Sequence, residues 1–221
     1  CTPQVVQVSP DSLQLPVGKI RAMGSGHSFN GLICSDETVV VLEGCQMQLA
    51  EDILSAYASC TIEEAQIFLG HKHRMLHGYG SIQSQTLAGG LMTSLHGNHH
   101  HTFGSHVVNM TATVANGSSI IVSGDELKYW ISSMGMLGIV TQVSIKTFPF
   151  TSMLCKKQWI PLAQGLSRLL LSDHLVSLTG INKYNHFFVN ECSNESLANF
   201  SEIKSTSMWT RFAFDNIIQP V

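Results

Sequence analysis

Apolar and polar residues alternate through positions 139–148 (I-V-T-Q-V-S-I-K-T-F), the period-two pattern of a strand with one buried face. Positions 38–42 (T-V-V-V-L) are rich in β-branched residues and form a second predicted strand. A short strand at 17–23 runs straight into Gly24-Ser25-Gly26, where Gly-x-Gly turns the chain tightly and leaves backbone N–H groups unobstructed. Positions 63–69 carry helical spacing after Thr61, a residue type suited to an N-cap. Strands are expected at 107–114 and 119–122, flanking Asn116-Gly117, a dipeptide that marks hairpins. Gly124-Asp125-Glu126 opens a helix expected to reach about residue 134. Positions 85–95 (Q-T-L-A-G-G-L-M-T-S-L) have no decisive period. Gly89-Gly90 would be costly in an exposed helix, so a short helix or turn packed closely on a neighbour is expected. Pro149 ends the 139–148 run, and beyond residue 150 glycine-rich turns give way to aromatic residues and Asn. The predicted division is a first domain at 1–150 and the beginning of a second at 151–221.

Composition narrows the function classes. The 221 residues are 44% hydrophobic and 12% charged, which indicates a globular chain with a sizeable core and excludes disorder. A net charge of −3, with Lys and Arg thinly scattered, offers no phosphate-neutralising stripe, and no nucleic-acid partner is expected. Apolar runs such as 135–143 are interrupted and short, so no transmembrane segment is expected. The six cysteines (Cys1, Cys34, Cys45, Cys60, Cys155, Cys192) show neither C-x-x-C nor zinc spacing. Buried or free thiols are the plain reading; an even number also permits disulfides, which leaves the compartment open. Asn-x-Ser/Thr sequons start at Asn109, Asn116, Asn194 and Asn199, a short pattern common by chance. The first residue is Cys1 and no signal-peptide pattern follows, so the chain is read as clipped at its N-terminus and its localisation as undetermined.

Glycine-rich stretches at 24–30, 78–97 and 135–141 carry the candidate chemistry, two of them with Ser, Thr and His beside the glycines. Backbone wrapped closely around an extended polar ligand needs such residues, because a pyrophosphate demands converging N–H and hydroxyl donors with no Cβ in the way. Neither Walker nor Rossmann spacing is present, and ordinary tight turns would account for the same glycines.

The run M-G-S-G-H-S-F-N (Met23 to Asn30) resembles the first flavin loop of the vanillyl-alcohol-oxidase family, which has the PCMH-type FAD-binding fold. The segment G-S-I-Q-S-Q-T-L-A-G-G-L-M-T-S-L-H-G (Gly80 to Gly97) is similar to the family's second flavin segment, and F-G-S-H-V-V and M-G-M-L-G-I-V-T-Q-V follow in the family's order. Within the family the sequence most resembles alditol (xylitol) oxidases and, next, sugar-1,4-lactone oxidases. The resemblance implies an α+β fold: a two-subdomain FAD-binding unit followed by the start of an antiparallel-sheet cap that the chain leaves incomplete. It implies FAD as cofactor, bound covalently to His27, with Gly24, Ser25, Gly26, Ser28, Phe29 and Asn30 lining pyrophosphate and flavin. Thr86, Gly89, Gly90 and Thr93 match positions packed on the ADP part, His96 and Gly97 the family's His-Gly, and Ile139 and Val140 the strand on the adenine side. Ser81 matches a catalytic serine touching flavin and substrate. Gly80 matches the position where residue size governs oxygen access, and a glycine there favours an oxidase.

The implied reaction oxidises a hydroxyl carbon of a small polyol or sugar-1,4-lactone, with O2 as acceptor and H2O2 as product. Three alternatives stand beside it. A dehydrogenase would pass electrons to a carrier protein, a catalytically incomplete fragment would only bind flavin, and the cluster His96, His99, His100, His101 and His106 would suit a metal-binding module. His-Gly already accounts for His96, and three consecutive histidines cannot converge on one ion, so no metal is expected. The sequence departs from the family pattern at Ala58-Ser59-Cys60, where a glycine-rich turn is usual, and at Gly78-Tyr79 in place of Pro-Asn.

Overall fold

The structure, a computed structural model, describes residues 3–97, 101–151, 154–171, 175–181, 186–193 and 209–211. The chain divides after Pro149 into two compact units, Cys1–Pro149 and Phe150–Val221.

The first unit opens with a three-stranded parallel sheet of β1 (Gln4–Val8), β2 (Ile20–Met23) and β3 (Thr38–Leu42), in the order β1-β3-β2. The T-V-V-V-L run takes the middle, where Val39 and Val40 are buried, as expected for a parallel strand covered on both faces. β2 starts three residues later than the sequence suggested. Gly18 sits at φ +105°, and the Lys19 amide donates to the Glu37 carboxylate at 2.7 Å instead of to a strand.

A five-stranded antiparallel sheet forms the rest of the scaffold, ordered β4-β5-β9-β7-β8. Its members are β4 (Met47–Ala50), β5 (Ile53–Tyr57), β7 (Val107–Thr113), β8 (Ser119–Ser123) and β9 (Ile139–Lys146). Helices α1 (Ile62–Gly70) and α2 (Leu87–Met92) cover its inner face. Leu54, Met110, Val143 and Ile145 from the sheet join Ile62, Leu69, Leu87, Leu91 and Phe103 in one core. The alternation predicted over 139–148 stops at Lys146. Thr147 turns inward, its amide donating to the Asp52 carbonyl, and Phe148–Pro149 (β10) crosses to pair with Arg74–Met75 (β6). Arg74 fastens that corner through 2.9 and 2.7 Å bonds to the hydroxyl and carbonyl of Thr147.

Local signals explain several boundaries. α1 starts with a capping box: Thr61 Oγ1 accepts from the Glu64 amide, and the Thr61 amide donates to the Glu64 carboxylate. The helix predicted from Gly124 to about 134 is only a 3-10 turn (Gly124–Glu126) and α3 (Leu127–Trp130). It ends because Ser132, Met134 and Gly135 all take positive φ. The β7–β8 hairpin closes with the Gly117 amide donating to Val114 and the Val114 amide to Ser118, with Gly117 at φ +82°.

The cysteine reading needs correction: Cys45 and Cys60 form a disulfide, Cys34 is disulfide-bonded, and no described cysteine is free. The bond ties the start of β4 to the turn before α1, two buried or anchored points that sequence spacing could not bring together. Cys1, His99, His100, Asn194 and Asn199 lie outside the described residues.

Among the described residues, the second unit contains a four-stranded antiparallel sheet ordered β12-β13-β11-β14 and one helix. Its elements are β11 (Leu154–Pro161), α4 (Leu162–Leu171), β12 (Leu175–Ile181), β13 (His186–Ser193) and β14 (Trp209–Arg211). No described helix is long and apolar enough to cross a membrane.

Candidate cofactor site

The three glycine-rich stretches, separated in sequence by as much as a hundred positions, meet around one cavity of about 590 Å3 in the first unit. That volume lies within the range of small-molecule and cofactor sites. Gly24 to Asn30 forms one wall as the chain leaves β2. Gln85, Thr86, Ala88, Gly89 and Met92 to His96 form a second around α2. Ser132, Met134, Gly135 and Gly138 to Val140 form a third as the chain enters β9, and Val40 to Leu42 of β3 supply an apolar floor.

The absence of side chains at two glycines permits this approach. A Cβ on Gly24 would stand 2.4 Å from Thr86 Oγ1, so the first loop can lie on the start of α2 only with glycine there. Thr86 is also the N-cap of that helix, accepting from the Gly89 amide at 3.1 Å. A Cβ on Gly138 would stand 2.7 Å from the Thr113 carbonyl, which brings the third stretch onto the end of β7. By contrast, Gly26 at φ +74° has open space beside it.

The lining contains serine and threonine hydroxyls, glycine amides and apolar side chains, but no Asp, Glu, Lys or Arg. A bound diphosphate would be held by neutral donors alone and would meet no repelling carboxylate. Strained backbone concentrates here too: Ser94, Ser132 and Met134 all take positive φ, and the Ser94 and Ser132 hydroxyls hydrogen-bond to each other.

His27 is the distinctive group. Its Nε2 is held by Ser84 Oγ at 3.0 Å, while its Nδ1 is buried with no hydrogen-bond partner. Gln85, on the same cavity, also has a buried unpartnered side-chain oxygen. Buried polar atoms are ordinarily paired, so two orphans on two walls of one cavity mark where a polar ligand belongs. A hydroxyl that donates to Nε2 leaves the ring proton on Nδ1; one that accepts leaves Nδ1 as a lone pair, able to form a bond.

Of the residues singled out from sequence, Gly24, Ser25, Gly26, His27, Ser28, Phe29, Asn30, Thr86, Gly89, Thr93, His96, Ile139 and Val140 line the cavity. Gly80, Ser81, Gly90 and Gly97 do not. Gly90 and Gly97 are packing glycines, where a Cβ would meet Leu95 Cδ2 at 2.9 Å and the Tyr79 carbonyl at 2.0 Å. Ser81 is exposed beyond the lining, and a Cβ on Gly80 would come 3.2 Å from Leu95 and 3.3 Å from the His96 carbonyl. Ser84, Ser94, Ser132 and Met134 were not anticipated. Ser84 lay within the motif-bearing segment, but only the folded chain reveals that it reaches back 57 positions to His27. Among the described residues, no group of three His, Cys, Asp or Glu side chains is arranged to hold a metal.

The family model described as FAD binding domain matches residues 17–123, which supply two of the three cavity walls and the apolar floor. Residues 17–123 are thus similar to an FAD-binding domain of the PCMH type. The solved structure of cholesterol oxidase from Brevibacterium sterolicum superposes on 80% of this chain and 40% of its own, with a TM-score of 0.70 at 13% identity, a likeness of fold. Among curated relatives, L-gulono-1,4-lactone dehydrogenase from Mycobacterium tuberculosis is 26% identical over 90% of this chain and 48% of its own length. D-Arabinono-1,4-lactone oxidase from Saccharomyces cerevisiae is 27% identical over 62% of this chain and 29% of its own. The chain thus spans about half the length or less of these relatives. In the FAD-binding domain, the residues fit the cofactor: a glycine-walled cavity, neutral donors, an apolar floor and an unpartnered imidazole nitrogen.

Proposed function

We propose that this FAD-binding domain serves an oxidoreductase that oxidises a hydroxyl-bearing carbon of a small polyol or sugar-1,4-lactone, with dioxygen as the acceptor. In the net reaction a CH–OH group becomes C=O, and dioxygen takes up the two electrons and two protons as hydrogen peroxide. FAD, when bound, supplies the two-electron relay between these halves. The domain's own residues bind it, exclude water from it and anchor it. The glycine amides and hydroxyls of 24–30 and 86–94 take the diphosphate, and the β3 floor and Ile139 and Val140 take the apolar ring edges.

The observation that carries this reading furthest is the buried, unpartnered Nδ1 of His27 on the cavity wall. This nitrogen would be the anchor: Nδ1 would hold FAD covalently at its 8α carbon, and dioxygen would take up, as hydrogen peroxide, the two electrons and two protons that such an attachment releases from the 8α C–H and the imidazole N–H. Ser84 is a positioning residue that holds Nε2 and so selects Nδ1 as the bonding nitrogen.

A dehydrogenase reading also has support, since relatives named as dehydrogenases and as oxidases both match. Gly80 favours the oxidase through the family resemblance. The discriminating experiment follows reduced flavin in the purified protein under air and under argon with an artificial electron acceptor. Reoxidation by air with stoichiometric peroxide supports the oxidase; reoxidation by the acceptor alone favours the dehydrogenase. Flavin that is bound but never reduced by any lactone or alditol would mean that the chain binds the cofactor without turning over.

A further inference from the structure

We propose that Asn116 carries an N-linked oligosaccharide and that this chain folds in an oxidising lumen. Asn116-Gly117-Ser118 is an Asn-x-Ser acceptor sequence, and by itself such a sequence means little. Here three structural observations converge on it.

The first is presentation. Asn116 and Ser118 are exposed at the tip of the β7–β8 hairpin, on a turn closed by the Gly117-to-Val114 bond. Asn116 Oδ1 accepts from the Ser118 amide at 2.9 Å and from the Ser118 hydroxyl at 2.6 Å. Both bonds use the oxygen, so they leave Nδ2 of this exposed residue unengaged. The described sequon at Asn109 differs: that residue lies half-buried in the ladder, paired with Ser123 and Ser144.

The second is redox state. Cys45 and Cys60 are joined, and Cys34 is disulfide-bonded. Reducing compartments do not maintain such a pattern, whereas the endoplasmic reticulum lumen and extracellular space do.

The third is the surface that a glycan would cover. β8 is an edge strand of the five-stranded sheet, and Ile121 on it is 73% exposed. An open edge bearing an apolar side chain invites pairing with another chain. An oligosaccharide rooted three residues before this strand would shield it.

The modification balances as a glycosyl transfer. Nδ2 forms a bond to the anomeric carbon of a polyprenyl-diphosphate-linked oligosaccharide and loses one proton. The bond from that carbon to the diphosphate breaks, and polyprenyl diphosphate leaves with the electron pair. No redox change occurs.

The test uses the full-length native protein recovered from its own cells. It is digested, treated with a peptide N-glycosidase in heavy-oxygen water, and mapped by mass spectrometry alongside differential alkylation of its cysteines. The expected result is Asn116 converted to Asp carrying heavy oxygen, with Cys45 and Cys60 protected from alkylation until reduction. In protein expressed through a secretory route, Asn116→Gln should lose one glycan-sized step on a denaturing gel. An unmodified Asn116 peptide in the native protein overturns the proposal, as does finding Cys45 and Cys60 as free thiols there.

Discussion

At residue scale the account rests on a few atoms whose environments are unusual. Nδ1 of His27 is buried and unpartnered while Nε2 is occupied by Ser84, so the two ring nitrogens are assigned different tasks. Ser84→Ala should leave the cavity able to bind FAD but lower the covalently attached fraction several-fold, with Ser84→Thr restoring it. The readout is flavin fluorescence on a denaturing gel beside total flavin in the native protein. A purely structural role for Ser84 would lower both together. Gly24→Ala should weaken flavin binding and cost about 1–3 kcal/mol of stability, because its Cβ would be driven into Thr86 Oγ1. Denaturant unfolding with and without FAD measures it. Gly80→Ala, the oxygen-access test, needs the same unfolding control, since its Cβ meets Leu95 and the His96 carbonyl. The Gly-x-Gly-His-Ser run was legible in sequence because each residue type there is chemically constrained. Ser84 was not, because a serine is unremarkable until the fold brings it to a histidine.

At the scale of elements, caps and glycines decide where the walls stand. Thr61 and Glu64 close a capping box on α1, and removing the hydroxyl with Thr61→Ala should cost about 0.5–2 kcal/mol, read as a lower denaturation midpoint. Strong periodicity made β3 and β9 legible, and Thr61 made α1 so. Boundaries failed where the backbone departs from strand or helix for reasons of local conformation. Gly18 shortened β2, the positive φ of Ser132, Met134 and Gly135 ended α3, and Thr147 broke the long final strand. Three of those interruptions, at Ser132, Met134 and Gly135, also form cavity wall, so the misread end of α3 and the site coincide. Tyr79, whose carbonyl abuts Gly97, has its phenol raised above the ordinary 10.0 by burial, an effect opposed by the Gln66 side chain. The unfolded chain ionises this phenol first, so stability is complete below about pH 10 and falls as pH rises through the folded value. Tyr79→Phe should flatten that alkaline loss in pH-dependent unfolding.

At the scale of the molecule, the cavity of the first unit is walled by the parallel sheet, the start of β9 in the antiparallel sheet and the short helix α2, and the disulfide fastens the turn that leads from β5 into α1. Cys45 and Cys60 close a loop of 15 residues, so breaking the bond should cost about 3 kcal/mol. Thermal unfolding with and without reductant measures it. The α+β architecture was legible because motif order along the chain carried it. The disulfide was not, since cysteine spacing alone does not report distance in the fold. The most direct test of the central claim is acid precipitation of the purified chain, with wild type and His27→Ala side by side, followed by flavin fluorescence of pellet and supernatant. The account predicts flavin retained in the wild-type pellet and released to the supernatant, or lost, in His27→Ala. Flavin that stays in the pellet of the variant would contradict His27 as the anchor, and a wild-type protein with no flavin in either fraction, even after incubation with FAD, would contradict the cofactor site itself.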